Sequence, residues 1–331
     1  MTYWEKSLVN SASVNDFRGA QSAMFHVKHS LPTPIMGICI AVISNLAHAM
    51  PEKVEFNSLE ETRAAGPTKL SGYLYKPENL NPTKPVNTVV LAHGCSGLLD
   101  SKARVRIGVT AWADHFTAKG WVVLAVDSFT SRGEKEVCTQ KERPILEGRE
   151  RPRDAYGALA YLTAQPYVQK DAVFLMGFSN GATGVLYAVD DGGKPLALAK
   201  AAKISFRAAL ALYPGCTSAD KRNLKPAIPL GIFMGELDDW TPVASCKSLV
   251  EKAKVTGANA EIHLYANAYH GFDVPGSTVR VRGDVRMKAS PQLAKGVHVG
   301  GNDEARVAAI KDVDSFVERV LRTKAERPET K

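Results

Sequence analysis

From Leu70 onward, short apolar runs alternate with amphipathic stretches along the chain. The pattern predicts strands over residues 70–75, 88–92, 121–126, 173–176, 208–212, 230–234 and 261–265. Several of these are continuous hydrophobic runs, as required of strands covered on both faces. Helices are predicted between them, over 105–119, 153–164, 181–189 and 243–255. A last helix is marked by Val307, Ile310, Val313, Phe316, Val317, Val320 and Leu321 at helical spacing. Strands alternating with helices specify an α/β protein with a mostly parallel central sheet and helices on both faces. Nothing in the pattern divides residues 50–325, so one domain is expected there, with a polar tail at 326–331. The stretch 273–302 keeps no steady period and is rich in Gly, Pro and Arg, which predicts a long excursion beside the site.

The N-terminal segment reads differently. An apolar run from Ile35 to Ile43 is preceded by Lys28 and two histidines and followed by Ala47-His48-Ala49. A weakly basic lead, a short apolar core and an A-x-A site make a secretory signal, and the run falls short of the ~20 apolar residues of a membrane span. Residues 1–49 are therefore expected to be an N-terminal extension and signal, cleaved after Ala49. The mature protein is then exported, to the periplasm or beyond, with no stable membrane insertion. Export changes how the cysteines are read: Cys39 leaves with the signal, and Cys95, Cys138, Cys216 and Cys246 remain as an even set in an oxidising compartment. Three connectivities are possible. Cys216 and Cys246 each follow one of two consecutive predicted strands and should emerge at one sheet edge, so they are paired first, leaving Cys95 with Cys138 by default.

Composition narrows the class. Of 331 residues, 45% are hydrophobic and 23% charged, which excludes a disordered, collagenous or polytopic membrane protein. The formal charge of +8 is spread without a block of like charges, so no nucleic-acid partner is expected. No CxxC pair, HExxH or phosphate loop occurs, and neither a metal nor an organic cofactor is expected.

The candidate chemistry sits at strand ends. The predicted strand at 173–176 runs into Gly177-Phe178-Ser179-Asn180-Gly181 and then into a helical pattern. This is the context of a nucleophile elbow, a turn so tight that the serine hydroxyl stands exposed at a helix N-terminus. A serine hydroxyl needs a base to take its proton and a third group to orient that base. Asp238, in Gly235-Glu236-Leu237-Asp238-Asp239-Trp240, follows one later strand, and His270, in Tyr269-His270-Gly271-Phe272, follows the next. Between the two aspartates Asp238 is chosen as the acid, while Asp239 is expected to cap the helix that starts near Pro242. A further strand leads into His93-Gly94-Cys95-Ser96-Gly97, a glycine-rich turn able to present amides to a developing oxyanion. The amides of Cys95 and Asn180 are assigned that role. Arg132, Trp240 and Phe272 are candidates for contact with substrate.

Together these four segments resemble the dienelactone hydrolase family of the α/β-hydrolases, over about residues 68–275 with the last helix also fitting. The resemblance implies Ser179 as nucleophile, His270 as base and Asp238 as acid. It also implies that Arg132, after its strand, faces the pocket where relatives hold a substrate carboxylate. Dienelactone hydrolases proper carry a cysteine at the elbow, and a serine is the more usual choice for ordinary carboxylic esters. The expected function is a serine hydrolase of small carboxylic esters or lactones, working through an acyl-enzyme. A peptidase or thioesterase on the same fold, or a noncatalytic hydrolase-fold binding protein, are the alternatives.

Overall fold

The computed structural model describes residues 50–59, 66–285 and 296–323. The expected signal segment and polar tail lie outside the described residues. An eight-stranded sheet forms the centre, in the spatial order β1-β2-β4-β3-β5-β6-β7-β8. Its first two strands, β1 (Glu52–Asn57) and β2 (Lys69–Tyr75), run antiparallel to their neighbours. The other six are parallel: β3 (Val86–Ala92), β4 (Val122–Asp127), β5 (Val168–Phe178), β6 (Ala209–Leu212), β7 (Leu230–Gly235) and β8 (Ala260–Tyr265).

Burial explains why this order follows from the sequence. Every residue of β4, β6 and β7 is buried, as apolar runs covered on both faces must be. In β1 only Val54 and Phe56 point inward, at alternate positions. A polar strand whose inward signal is two residues gives almost no period to read, and it was not among the predicted strands.

The helices α1 (Ile107–Ala118), α2 (Glu150–Thr163), α3 (Asn180–Ala188), α4 (Lys194–Ala201), α5 (Thr217–Lys221), α6 (Val243–Val255) and α7 (Asp303–Arg322) connect or follow the strands. The last begins at a side-chain cap, Asn302 accepting from the Ala305 amide at 3.0 Å, with Asp303 and Glu304 favourably placed in the first turn. It buries Ala305, Ala309, Val313, Phe316, Val317 and Val320. Val307 is 63% exposed because it lies two residues, or about 200°, from Ala305 on the helix, and Leu321 is also exposed. Within the expected excursion, β9 (Arg280–Arg282) and β10 (Val297–Val299) pair antiparallel, and Val299 forms a bridge to His270. Among the described residues no helix is long and apolar enough to cross a membrane.

What positions the site is the place where the chain changes direction across the sheet. From β3 it passes to β4 on one side, and from β4 it returns to β5 on the other side of β3. The carboxyl ends of β3 and β5 thus diverge into loops on opposite sides, leaving a crevice between them. Two disulfides brace loops at this edge. Cys95 joins Cys138, with Cα atoms 5.0 Å apart, and Cys216 joins Cys246, at 5.1 Å, tying α5 to α6.

Closing the 30-residue separation of Cys216 and Cys246 constrains the unfolded chain by about 4 kcal/mol in the chain-entropy account. Replacing both by alanine is expected to lower the unfolding free energy by a corresponding amount and to raise the m-value, because the released unfolded chain exposes more surface, and peptide mapping of the wild type without reductant should recover both pairs.

Candidate active site

The strand β5 ends at Phe178, and the next residue, Ser179, takes φ 52° and ψ −117° before α3 begins. A non-glycine residue with left-handed φ costs energy and needs room around it. Glycine supplies the room. A Cβ on Gly181 would run into the carbonyls of Ala92 and His93, so only glycine lets α3 start against the end of β3. The serine backbone is held on both sides: its amide donates to the Leu212 carbonyl at 2.9 Å, and its carbonyl accepts from the Thr183 amide at 2.8 Å.

The loops after β7 and β8 bring two further groups to Ser179. His270 Nε2 lies 2.8 Å from Ser179 Oγ, and His270 Nδ1 lies 2.8 Å from Asp238 Oδ2. With Nδ1–H donating to the carboxylate, Nε2 accepts from the serine hydroxyl. The imidazole is 4% exposed and stands between two aromatic rings, Tyr213 and Trp240, each with its centroid 4.7 Å away. Asp238 is buried, yet all its acceptor capacity is used. Oδ1 accepts from the Trp240 and Thr241 amides at 3.0 and 2.8 Å, and Oδ2 from Thr241 Oγ1 at 2.8 Å besides the histidine. A buried carboxylate is tolerable on these terms, since each lone pair that lost water has found a donor.

The His93–Gly97 turn packs against the elbow. A Cβ on Gly94 would stand 3.5 Å from Ser179 Cβ, so the turn and the elbow approach each other closely at the residue before Cys95. Asn180 is the first residue of α3, so its amide is one of those a helix cannot pair internally. The Cys95 carbonyl accepts from Val137 at 2.8 Å, and the disulfide fixes its side chain.

Beneath this turn lies a group that periodicity did not reveal. Arg151, at the start of α2, is 3% exposed. Its guanidinium donates to His93 Nε2 at 3.0 Å and to the His93 carbonyl, and it faces the Phe129 ring at 5.1 Å. Burial lowers its pKa to about 10. His93 is fully buried, and burial together with the Arg151 charge holds its pKa well below the usual histidine range. The neutral ring therefore carries its proton on Nδ1, which donates to the Gly94 carbonyl at 2.8 Å. A second buried link joins Asp273 to Trp112 Nε1 at 2.8 Å and to the Tyr213 hydroxyl at 2.7 Å. Burial raises the pKa values of Asp273 and Tyr213. Asp273 carried a signal, a charge directly after the apolar Phe272, whereas Arg151 stands among Arg149, Glu150, Arg153 and Asp154 and nothing local sets it apart.

Three expectations need correction. Arg132 does not face the cavities at Ser179. Both ends of its guanidinium fork bind the Asp154 carboxylate at 2.8 Å, and Nη1 also donates to the Ser128 carbonyl at 2.7 Å. Phe272 is wholly buried against Tyr213 and Tyr265, because its neighbour Asp273 is drawn inward by Trp112 and Tyr213. Asp239 does not cap α6, whose N-cap residue is Pro242 with no side-chain cap. It reaches instead to the hairpin, accepting from the His298 amide at 2.9 Å and from His298 Nδ1 at 2.7 Å. Trp240, by contrast, does line the site.

Ser179 stands between two cavities. One, of about 250 Å³, is shared with His270, Trp240, Tyr213 and the hairpin residues Arg280 and Arg282. The other, of about 360 Å³, is lined by Asn180, Gln140, Arg143, Glu147 and Thr183 and also reaches Trp240. Among the described residues no group of three His, Cys, Asp or Glu side chains is placed to hold a metal ion.

Sheet order, elbow and strand-end loops define an α/β-hydrolase. The sequence model of the dienelactone hydrolase family matches residues 70–320, and the chain belongs to that family. It is a carboxylic ester hydrolase. Esterase 2 of Thermogutta terrifontis, solved with its tabun adduct, is similar in structure with a TM-score of 0.55 and 16% identity, over 82% of this chain and 96% of that one. A dienelactone hydrolase-like promiscuous phosphotriesterase, P91, from metagenomic libraries superposes with a TM-score of 0.56 at 18% identity, over 82% of this chain and 99% of that one. At such identities the likeness is one of fold. No curated protein matches the chain.

The buried His93 generates a pH dependence. Its folded pKa is depressed, so below about pH 6.5 the unfolded chain binds a proton that the folded protein does not, and stability falls as pH falls through that window. His93→Gln is expected to reduce the slope of unfolding free energy against pH by up to one proton, about 1.4 kcal/mol per pH unit, below pH 6.5. Denaturant melts at pH 5, 6 and 7 for both proteins check this.

Proposed function

We propose that the protein hydrolyses small carboxylic esters or lactones through an acyl-enzyme on Ser179, with His270 as base and Asp238 as the acid that orients it. The observation that carries this reading is the unbroken hydrogen-bonded chain, 2.8 Å from Ser179 to His270 and 2.8 Å from His270 to Asp238. As Ser179 Oγ attacks the carbonyl carbon, its proton passes to His270 Nε2, and the imidazolium formed is stabilised by the Asp238 carboxylate. Negative charge gathers on the former carbonyl oxygen, for which the amides of Cys95 and Asn180 are the donors. Such a donor contributes about 3 to 4 kcal/mol where its removal has been measured in other enzymes. The Asn180 amide has the added advantage of a helix N-terminus. His270 then gives the proton to the departing alcohol oxygen. Water, deprotonated by the same nitrogen, attacks the acyl-enzyme and releases the acid. A binding protein that had lost catalysis would have no need to keep Asp238 satisfied by four donors and aimed at the imidazole.

A fluorophosphonate probe should label the wild type and leave Ser179→Ala unlabelled; equal labelling of the two would remove Ser179 as nucleophile. Asp238→Asn preserves shape but favours the wrong imidazole tautomer, a change that lowers turnover about 10⁴-fold in a serine protease. The loss expected in kcat for 4-nitrophenyl acetate is of that order. Asp239→Asn keeps an acceptor for the His298 amide in an exposed pair, so its cost is under about 1 kcal/mol of stability.

Two disulfides fit an oxidising compartment, in keeping with export directed by residues 1–49. Protein made in a secretion-competent bacterial host should have an intact mass beginning at Met50. A mature product that retains Ile35 to Ile43 would reject cleavage.

A further inference from the structure

The connection between β4 and α2, residues 128–149, holds one short turn of regular structure, at Thr130–Arg132. A loop of this length without a helix or strand of its own is uncommon in a compact domain and is usually tied to function. From Val137 onward it runs past the site and lines the larger cavity through Gln140, Arg143 and Glu147. With so little regular structure, its shape has to come from individual bonds. Those bonds lead, one after another, from one assigned oxyanion donor to the other.

At one end stands Cys95. Its carbonyl accepts from the Val137 amide at 2.8 Å, and its side chain is bonded to Cys138. Val137 is fully buried, and its own carbonyl accepts from Arg143 Nε at 3.0 Å. A second nitrogen of that guanidinium, Nη1, donates to Glu147 Oε1 at 2.5 Å. The same carboxylate oxygen accepts from Asn180 Nδ2 at 2.5 Å. Asn180 Oδ1 is buried without a hydrogen-bond partner among the described residues, so Glu147 is the contact that orients the side chain. We propose that the stretch from Val137 to Glu147 is a brace that sets the two oxyanion amides relative to each other, with Arg143 and Glu147 as positioning residues acting through Cys95 and Asn180. The inference rests on the acyl-enzyme reading and adds to it the residues that hold the charge-stabilising pair in place.

The elbow explains why such a brace is needed. The Asn180 N–H belongs to the peptide that joins it to Ser179, the residue held at φ 52° and ψ −117°. Relaxation of Ser179 would turn that rigid peptide and swing the amide away from the oxyanion. Thr183 holds the carbonyl side of the peptide at 2.8 Å, whereas the N–H side has to stay free for the substrate. Glu147 supplies the second hold, on the side chain of Asn180 itself. The charges are matched as well. A lone carboxylate beside the donors would oppose the negative charge that gathers on the substrate oxygen, and Arg143 neutralises it. Arginine suits the place because its planar fork directs two N–H groups at fixed angles, joining the Val137 carbonyl to the Glu147 carboxylate.

Two measurements test the brace. Hydrolysis of 4-nitrophenyl acetate gives kcat and KM, and inhibition by a trifluoromethyl ketone gives Ki. Ser179 Oγ adds to the ketone's carbonyl carbon, its proton passes to His270 Nε2, and the former carbonyl oxygen takes up negative charge between the two amides. Ki therefore reads the oxyanion donors without turnover. In Glu147→Ala, kcat is expected to fall about thirtyfold with KM within about twofold, short of the ~10²–10³ lost when a donor is removed outright. Ki should rise by the same factor as kcat falls. Glu147→Gln keeps the oxygen that Asn180 and Arg143 share and should recover most of the loss. Arg143→Lys cannot reach Val137 and Glu147 together, and its Ki should rise about tenfold. Unfolded enzyme lowers kcat but leaves Ki where it was, so destabilisation alone cannot imitate this result. An unchanged Ki in Glu147→Ala or in Arg143→Lys would overturn the brace, as would a Glu147→Gln enzyme as impaired as Glu147→Ala. A wild type that neither hydrolyses the ester nor binds the ketone removes the acyl-enzyme reading and this inference with it.

Discussion

The site depends on one strained residue. Ser179 keeps φ at 52° because the sheet leaves it no alternative: β5 ends between β3 and β6, and α3 must begin at once. A conformation of this kind costs on the order of 1 to 3 kcal/mol and persists only where its surroundings over-determine it. Here they do so through the amide bond to Leu212, the carbonyl bond to Thr183 and the close approach of Gly181 to the end of β3. The strain lifts the hydroxyl out of the sheet and points it into the crevice.

Around that residue the protein spends buried charge to hold loops still. Arg151 and His93 clamp the turn before Cys95 from below, and the disulfide to Cys138 holds it from the side. Asp273 ties α1 to the loop after β6 through Trp112 and Tyr213, and Tyr213 packs edge-on against His270. Interior ionic groups of this sort contribute little net stability compared with apolar packing, but leaving one partner unpaired is expensive. Their value is therefore positional. Each loop that presents a group to the site has a buried polar anchor within a few residues of that group.

The hairpin of β9 and β10 shows how a peripheral segment becomes part of the site. It is joined to the acid loop through Asp239 and His298, and to the histidine loop through the Val299 bridge and the bond from the Gly300 amide to the His270 carbonyl. Tyr269 stacks on His298 at 4.9 Å. These contacts bring Arg280 and Arg282 over the cavity that His270 lines. Their partners are nearly sixty residues away in the case of Asp239 and His298, and no local pattern connects them.

The sequence by itself determined the parallel sheet, the elbow at Ser179, and the order in which Asp238 and His270 follow it. These are local matters: a continuous apolar run, two glycines around a serine, and a polar residue just beyond a strand end each carry their meaning within a few positions. It also paired Cys216 with Cys246, since consecutive parallel strands deliver their following loops to one edge. What only the tertiary structure decided was the use of side chains whose partners are remote. Arg132, at a strand end like the others, is taken by Asp154 on α2, and the cations that reach the cavity come instead from Arg106 and the hairpin. Asp239 turns to His298, and Phe272 turns inward beside Asp273. The physical reason is the same in each case: a charged or aromatic side chain goes to whichever partner lowers its desolvation cost most, and that partner is chosen by packing between segments far apart in the chain.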